Sequence, residues 1–324
     1  MGKQAVLLLA HGTPETVEQI PEYLRNVVSG RPIPPHVVEE IQHRYALIGR
    51  SPLTEITIEQ ARLVEAELAP EGHGVPVYVG MRNWRPYIPD VVKQMRADGV
   101  EEAAVLCMAP QNSRTSVGLY RRAVEAEAGG LRIDFTEGWA DHPLLAEAFA
   151  ERLRPALRRL TEETGYPVPV LFTAHSVPER TVKPPAEGDQ GPRLWPGQGA
   201  DPYAEDARHT AELVAERVAE IPRWRFAFQS QGASGGPWIG PTVEETLDSM
   251  AAEGVKAVML QPIGFLCDHV EILYDVDRAF RDYAAGIGIR LERPESLNAS
   301  ATLAKAVADL ARRGLERVGA PGSR

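Results

Sequence analysis

Short apolar runs along the chain alternate with longer stretches in which apolar residues recur every three or four positions. The first pattern is typical of buried strands, and the second is typical of helices that pack on one side. The predicted strands are 5–10, 75–79, 103–108, 132–135, 168–173, 225–229 and 257–262. The predicted helices include 36–48, 88–96, 116–128, 143–163, 203–220, 243–253, 269–285 and 299–318. This alternation predicts an α/β protein.

Two segments, 7–15 and 171–179, share the same pattern of residues. Each is an apolar run that ends at Ala-His and then meets a turn-forming proline, which predicts a buried strand with a histidine at its carboxyl end. Ligands bind at that end of the strands in open α/β sheets. The repeat favours two similar doubly wound halves with parallel four-stranded sheets flanked by helices, offering His11 and His175 to a shared crevice.

The similarity continues downstream, where 97–110 and 252–262 both run from a helix through Gly-Val into an apolar strand closed by proline. Such phrases are common in α/β proteins, but here their order and spacing are also kept. We therefore expect an N-terminal half at 1–145, a C-terminal half with the catalytic residues at 146–298, and a terminal helix and tail at 299–324. The segment 183–202, rich in Pro, Gly and Gln, is predicted to be a surface loop, either at the mouth of the cleft or an ordinary insertion.

Composition and charge narrow the functional classes. The chain has 324 residues, of which 44% are hydrophobic and 25% charged, as in ordinary globular proteins. Its formal charge of -10 argues against a general nucleic-acid binder. The two cysteines, Cys107 and Cys267, are far apart, so neither a disulfide framework nor a CxxC metal site is indicated. No apolar stretch approaches the roughly 18 residues of a membrane span, and we expect a cytoplasmic protein.

Four segments concentrate unusual residues at predicted strand ends. They are Ala-His-Ser-Val-Pro at 174–178, Gln-Ser-Gln-Gly at 229–232, Pro-Trp-Ile-Gly-Pro at 237–241, and the stretch 262–275. Together with Tyr-Ala-Leu-Ile-Gly at 45–49 and Ser-Pro-Leu at 51–53, they resemble the ferrochelatases, which insert ferrous iron into a porphyrin in haem synthesis. The closest resemblance is to the soluble bacterial coproporphyrin enzymes.

The resemblance implies a chelatase-like fold and a monomer. Coproporphyrin III is the preferred substrate, giving Fe-coproporphyrin, and protoporphyrin IX is the alternative. Fe²⁺ is a substrate, and no cofactor is bound permanently. Two rival functions remain open: a cobalt or sirohydrochlorin-type chelatase, which shares the fold, and a non-catalytic tetrapyrrole carrier or two-domain solute-binding module.

The residues support metallation chemistry directly. Inserting iron into a porphyrin removes two pyrrole protons, so the site needs a base that titrates near neutrality and a carboxylate that holds a divalent cation. The imidazole of His175 suits the first task. A carboxylate binds Fe²⁺ weakly enough to pass it on, which suits Glu271.

Three carboxylates after the last strand of the second half, Asp268, Glu271 and Asp275, fall at spacings that form one stripe on a helix. The stripe is either a solvated face or a row that conducts metal. The resemblance implies a π-type distortion of this segment, with Glu271 as the partner of His175 and Asp275 on the path outward. His269 is two residues from Glu271, so we expect it to point elsewhere and to be structural.

A porphyrin is a flat apolar disc with carboxylate arms, which calls for an apolar cleft with polar donors at its rim. The resemblance implies that Arg44, Ser51 and Tyr120 contact the propionates. Trp238 is predicted either to line the cleft or to cap the core. Further basic side chains near the same mouth are either ligand contacts or surface charges: Arg50, Arg82, Arg85 and Arg114.

The sequence departs from the family pattern at three places. His11 replaces a tyrosine that faces the porphyrin opposite His175, and Arg82-Asn83 replaces a Lys-His pair. His11 is therefore predicted either to add an iron ligand, to alter the metal preference, or to be a hydrogen-bonding substitution. Ala279 stands where a further carboxylate is usual, which argues against a peripheral cation site there.

Overall fold

The computed structural model describes residues 2–69, 74–114, 116–183, 200–231 and 236–320. The chain divides into two compact units, Met1–Trp139 with Asn298–Arg324 and Ala140–Leu297. Most of the predicted surface loop at 183–202 lies outside the described residues.

The first unit contains a parallel sheet in the order β2-β1-β3-β4. Its strands are β1 (Lys3–Ala10), β2 (Val77–Met81), β3 (Val100–Cys107) and β4 (Arg132–Thr136). Its helices are α1 (Ile20–Val27), α2 (Pro35–Ile48), α3 (Leu53–Leu68), α4 (Ile88–Ala97), α5 (Val117–Glu125) and the C-terminal α11 (Ala301–Gly319). Helix α11 packs on β3 and β4 and therefore belongs to this unit.

Helices cover both faces of the first sheet, so its central strand is apolar along its whole length. Leu7 and Leu9 point to one face, where they share a buried cluster with Ile88 and Val92 of α4. Leu8 points to the opposite face and is also fully buried. This two-sided burial explains why β1 is a continuous apolar run without polar alternation.

The second unit repeats the arrangement with a parallel sheet in the order β6-β5-β7-β8. Its strands are β5 (Val170–His175), β6 (Trp224–Gln229), β7 (Ala257–Pro262) and β8 (Arg290–Glu292). Its helices are α6 (Pro143–Thr164), α7 (Glu179–Val182), α8 (Tyr203–Arg217), α9 (Val243–Ala252), a π-helix (Glu271–Phe280) and α10 (Arg281–Gly286). The prediction of two similar doubly wound halves with parallel four-stranded sheets is confirmed.

Three details of the second unit differ from the sequence prediction, the first being the short helix α7, which was not predicted. Strand β8 was not predicted, because its three residues are too few to show an alternating pattern. The predicted helix at 269–285 is divided into the π-helix and α10.

Strand order fixes where each unit is open to a ligand. The chain leaves β1 for β2 on one side and later returns to β3 on the other side, so a crevice opens at the carboxyl ends of β1 and β3. The same reversal occurs at the carboxyl ends of β5 and β7. Among the described residues, no helix has the length and apolar character that crossing a membrane requires.

Candidate active site

His175 is the last residue of β5 and lies at the switch point of the second sheet. The hydroxyl of Tyr203 donates to the carbonyl oxygen of His175 at 2.9 Å, and the next backbone N–H, from Ser176, donates to the carbonyl of Gln229 at 2.6 Å. The Nδ1 atom of His175 hydrogen-bonds the carbonyl oxygen of Ser176, which can only accept. Nδ1 therefore carries a proton, and Nε2 is the basic nitrogen of the neutral ring.

Glu271 reaches the same point from the neighbouring strand. After β7 the chain bends at Gly264, where a Cβ atom would lie only 3.1 Å from Cβ and 3.2 Å from Cα of Ala174. A side chain there would press against β5, so glycine suits the close approach of this loop. The loop then leads into the π-helix, whose first residue is Glu271.

His175 and Glu271 form the central pair of the site. Nε2 of His175 lies 3.4 Å from Oε1 of Glu271, and about 30% of each side chain is exposed. Burial by itself lowers the pKa of His175, but the charge and hydrogen bond of Glu271 outweigh this and raise that pKa above its usual value. Burial would raise the pKa of Glu271, yet His175 and His269 hold it well below the usual range. The pair therefore favours an imidazolium and a carboxylate.

His269 also contacts Glu271, so the prediction that it points elsewhere is wrong. Its Nε2 lies 3.4 Å from Oε2 of Glu271, and its Nδ1 lies 2.9 Å from the carbonyl oxygen of Cys267. The prediction assumed helical spacing, but residue 269 precedes the helix. Glu271 thus presents one oxygen to each of two imidazoles.

The acidic row is only partly formed. Asp268 turns away, because its Oδ1 accepts hydrogen bonds from Arg293 at 3.1 Å and from Ser296 at 2.7 Å, so its predicted place in the stripe is wrong. Asp275 is 7% exposed, and its charge contributes to the raised pKa of His175. The predicted π-type geometry is confirmed, and its wider turn brings residues four or five positions apart onto one side of the helix.

Glu271 and Asp275 follow each other along the π-helix without closing a metal cage. Among the described residues, no group of three or more His, Cys, Asp or Glu side chains is arranged to hold a metal ion. His175 and Glu271 offer one nitrogen and one oxygen ligand to a divalent cation.

Two aromatic side chains border His175. The ring centroid of Trp238 is 6.5 Å away and that of Phe265 is 6.3 Å away. Phe265 also contacts His269, at 4.4 Å between centroids. Trp238 was predicted either to line the cleft or to cap the core. The structure places it beside His175, where its ring can border an apolar disc.

His11 occupies the corresponding position of the first unit, directly after β1. Its Nε2 lies 2.9 Å from the hydroxyl of Tyr23, and the side-chain nitrogen of Asn83 lies 3.1 Å from the same atom. Gly12 follows with φ +78°, and a Cβ there would lie 2.8 Å from Cβ of Met81. The sequence signalled Asn83 only as a departure from the family pattern and gave no role for Tyr23.

The three predicted propionate contacts also lie in the first unit. Ser51 is 5% exposed, and within the described residues its buried hydroxyl makes no hydrogen bond. Arg44 pairs with Glu40 one turn earlier on α2. Burial raises the pKa of Tyr120 well above its usual value, and the guanidinium of Arg82 lies 5.4 Å from the centroid of its ring.

The other basic candidates of the first unit differ in their surroundings. Arg50 pairs with Glu55 at 2.7 Å, and Arg85 lies 3.8 Å from Glu22. These are exposed ion pairs of the kind that contributes little to stability. Arg82 is part-buried and donates to the side-chain oxygen of Asn83 at 3.3 Å, and Arg114 is also part-buried.

Sequence reasoning missed three side chains beside the acidic row. Thr173, Gln229 and Ser230 are joined by hydrogen bonds that end on Asp275. The motif Gln-Ser-Gln-Gly at 229–232 marked the place, but nothing in its composition showed what its side chains contact.

Comparison with known proteins identifies the family. A family model described as Ferrochelatase matches residues 3–315. The chain is 59% identical over 317 residues to a ferrochelatase of Acidobacterium capsulatum, covering 98% of this chain and 96% of that protein. It is 36% identical over 317 residues to a coproporphyrin III ferrochelatase of Mycolicibacterium vanbaalenii, covering 96% of this chain and 89% of that protein.

Solved structures support the fold at low sequence identity. A sirohydrochlorin chelatase of Bacillus subtilis subspecies spizizenii in complex with cobalt gives a TM-score of 0.55 at 12% identity, covering 97% of this chain and 96% of that one. A multi-domain protein of Deinococcus radiodurans with structural similarity to chelatases gives 0.57 at 14% identity, covering 97% of this chain and 56% of that one. The family match over nearly the whole chain decides the assignment: this protein belongs to the ferrochelatases, the enzymes that insert iron into a porphyrin.

Proposed function

We propose that this ferrochelatase acts on coproporphyrin III, inserting Fe²⁺ and releasing two protons to give Fe-coproporphyrin, with protoporphyrin IX as the alternative substrate. The main support for this reaction is the pair of His175 and Glu271 at the switch point of the second sheet. Similarity to proteins named coproporphyrin III ferrochelatases supports the substrate.

The first chemical step assigned to the site is removal of a pyrrole proton. His175 accepts it at Nε2 after that nitrogen has given up the proton of the resting imidazolium, because Nδ1 is committed to the carbonyl of Ser176. The carboxylate of Glu271 at 3.4 Å then stabilises the imidazolium. Because Glu271 raises the pKa of His175, the imidazole holds the captured proton more firmly than a free histidine would.

A second proton must leave before iron occupies the ring. We assign its removal to the same group of side chains, because Glu271 also faces His269 at 3.4 Å. The Nδ1 atom of His269 is held by the carbonyl of Cys267, so its Nε2 is the nitrogen that exchanges a proton with Glu271. The first proton then passes from His175 through Glu271 to His269, which leaves His175 neutral to accept the second, and both protons are finally released to water.

Iron enters as a hydrated cation whose waters must be replaced. We propose that Asp275 and Glu271 receive it in turn and that Glu271 and His175, once Nε2 of His175 has given up its proton, hold it while ring nitrogens displace the remaining ligands. Carboxylate oxygens bind Fe²⁺ less tightly than a closed cage of thiolates or imidazoles, so the ion is released to the porphyrin.

The porphyrin contacts are assigned by side-chain chemistry. Trp238 supplies an aromatic surface beside His175. Arg44, Ser51 and Tyr120 supply the charge and the hydroxyl donors for propionates, and a buried hydroxyl such as that of Ser51 gains a partner when a carboxylate binds. We also assign His11 to the porphyrin, held in place by Tyr23 and Asn83.

The substrate proposal is tested by anaerobic insertion assays with Fe²⁺ and each porphyrin. We expect a higher kcat/KM with coproporphyrin III than with protoporphyrin IX. The reverse order would overturn the substrate preference. Inactivity with both porphyrins, together with turnover of sirohydrochlorin with Co²⁺, would replace the proposal by the cobalt or sirohydrochlorin-type activity. The cytoplasmic location and the monomeric state stay predictions.

A further inference from the structure

A line of four hydrogen-bonded side chains connects the central strands of the second unit to the π-helix. Thr173 on β5 lies 2.6 Å from the side-chain oxygen of Gln229, the last residue of β6. The side-chain nitrogen of Gln229 lies 3.3 Å from Oγ of Ser230, and that Oγ lies 2.5 Å from Oδ2 of Asp275. Thr173, Gln229 and Asp275 are all buried.

The donors and acceptors of this line fit only one direction. The amide oxygen of Gln229 can only accept, so the hydroxyl of Thr173 donates to it. The amide nitrogen can only donate, so Oγ of Ser230 accepts from it and keeps its own hydrogen for Asp275. Each bond strengthens the next, because all of them point the same way in a buried environment.

The backbone of Ser230 is unusual in the same place. Its φ is +61°, in the left-handed region that non-glycine residues seldom occupy. A serine there is strained, whereas glycine would not be. Glycine would, however, lack the hydroxyl that contacts Asp275. A strained residue with a specific contact is typical of a functional requirement.

The same strand end also holds His175. The carbonyl of Gln229 accepts the N–H of Ser176, and Gln229 lies opposite His175 in the pairing of β5 with β6. The position of Asp275 is thereby tied to the strand that carries the base, although Asp275 itself lies on the π-helix.

We propose that Ser230 is a positioning residue for iron delivery, which holds the carboxylate of Asp275 in place through the line that begins at Thr173. This inference rests on the proposed function, in which iron passes Asp275 before it reaches Glu271 and His175. Ser230 does not touch the reacting atoms, so its effect is on the metal and not on the porphyrin.

The main test compares Ser230→Gly with Ser249→Ala. The glycine variant relieves the strained φ but removes the hydroxyl. Ser249 on α9 is a matched control, because it is exposed and its hydroxyl accepts from Arg225 at 3.0 Å, away from the acidic row. In anaerobic assays at saturating porphyrin, we expect kcat/KM for Fe²⁺ to fall at least about tenfold in Ser230→Gly, as for a lost hydrogen bond to a charged group. The KM for porphyrin and the unfolding midpoint should stay near those of the unchanged protein.

A second variant tests the direction of the line. Gln229→Glu keeps the shape of the side chain but replaces the donor that faces Ser230 with an acceptor. The hydroxyl of Ser230 then turns toward residue 229 and leaves Asp275. We expect this variant to show the same selective loss in kcat/KM for Fe²⁺.

A double-mutant cycle separates positioning from a general structural role. If Ser230 acts through Asp275, then Ser230→Gly causes no further loss in an Asp275→Asn background. An additional tenfold loss in that background would overturn the proposal. Equal losses in kcat/KM for iron and for porphyrin, together with a lowered unfolding midpoint, would also overturn it.

Titration with Co²⁺ in the absence of porphyrin gives a readout that does not depend on turnover. We expect weaker Co²⁺ binding in Ser230→Gly and unchanged binding in Ser249→Ala. If the unchanged protein inserts no iron, the proposed function fails, while a difference in Co²⁺ binding still supports the role of Ser230. If the unchanged protein is active and Ser230→Gly matches it in kinetics and in Co²⁺ binding, this inference alone is overturned.

Discussion

Nε2 of His175 lies 3.4 Å from Oε1 of Glu271, although the two residues are far apart in sequence. Their strands explain the contact. β5 and β7 are neighbours in the sheet. After β6, which lies on one side of β5, the chain crosses to the other side of β5 to form β7. An imidazole at the end of one strand therefore meets a carboxylate that follows the other, where α/β sheets bind ligands.

The coupling free energy between His175 and Glu271 is expected to depend on pH. The pKa of His175 is raised from 6.5, so its contribution is full below pH 6.5 and is lost as the pH rises through the raised value. The pKa of Glu271 is lowered well below 4.5, so its contribution is full above pH 4.5 and is lost as the pH falls through the lowered value. Coupling should therefore be greatest between pH 4.5 and 6.5.

A double-mutant cycle with His175→Ala and Glu271→Gln measures this coupling. Urea unfolding in the presence of a metal chelator should give a coupling free energy of about 1–3 kcal/mol at about pH 5.5 and a clearly smaller one at about pH 9. Equal coupling at both pH values would show that the pair is not an ion pair.

His269 is expected to act in proton transfer. His269→Gln keeps hydrogen-bonding capacity but cannot accept and pass on a proton. We expect kcat to fall by about 10²-fold or more, the usual effect of removing a proton-transfer group, with little change in KM for porphyrin. His209→Gln is the control, because His209 is exposed and pairs with Glu212 on α8. Equal activity of both variants would remove His269 from the mechanism.

Ser51 is expected to show opposite effects on stability and on binding. Its buried hydroxyl makes no hydrogen bond within the described residues, so Ser51→Ala should leave the unfolding free energy unchanged or raise it by about 1 kcal/mol. Porphyrin binding, followed by fluorescence quenching, should weaken.

Ser300→Ala is a control for that measurement. The hydroxyl of Ser300 accepts the N–H of Leu303 at the start of α11, so its loss should destabilise the protein by about 1 kcal/mol without affecting porphyrin binding. If Ser51→Ala destabilises the protein and binds porphyrin normally, Ser51 is structural.

Gly264 is expected to tolerate no side chain. An added methyl group would lie 3.1–3.2 Å from Ala174, the residue before His175. Gly264→Ala should lower the unfolding free energy by about 1–3 kcal/mol and reduce iron insertion. Gly286→Ala, where a Cβ has open space, should cause neither effect. Normal stability of Gly264→Ala would show that the loop after β7 can move away from β5.

The sequence predicts what local pattern and strand order determine. Apolar runs that end in Ala-His fix β1 and β5, and the side chains of His175 and Glu271 meet because their strands are neighbours. Asp268 and His269 could not be placed in this way, since both precede the π-helix and neither follows helical spacing.

Contacts made by unremarkable residues are also beyond pattern analysis. Asp268 turns toward Arg293, a partner that only the folded chain brings near. Ser230 and Asp275 are likewise joined across two elements. β8 is short enough that only its pairing with β7 reveals it as a strand.

The assignment of His175 and Glu271 as the catalytic pair is tested most directly by anaerobic Fe²⁺ insertion with His175→Ala. Porphyrin binding is measured on the same preparation. We expect this variant to bind porphyrin but to insert no measurable iron, because it lacks the base that we propose removes the pyrrole protons. Turnover close to that of the unchanged protein would contradict the assignment of His175 and Glu271 as the catalytic pair.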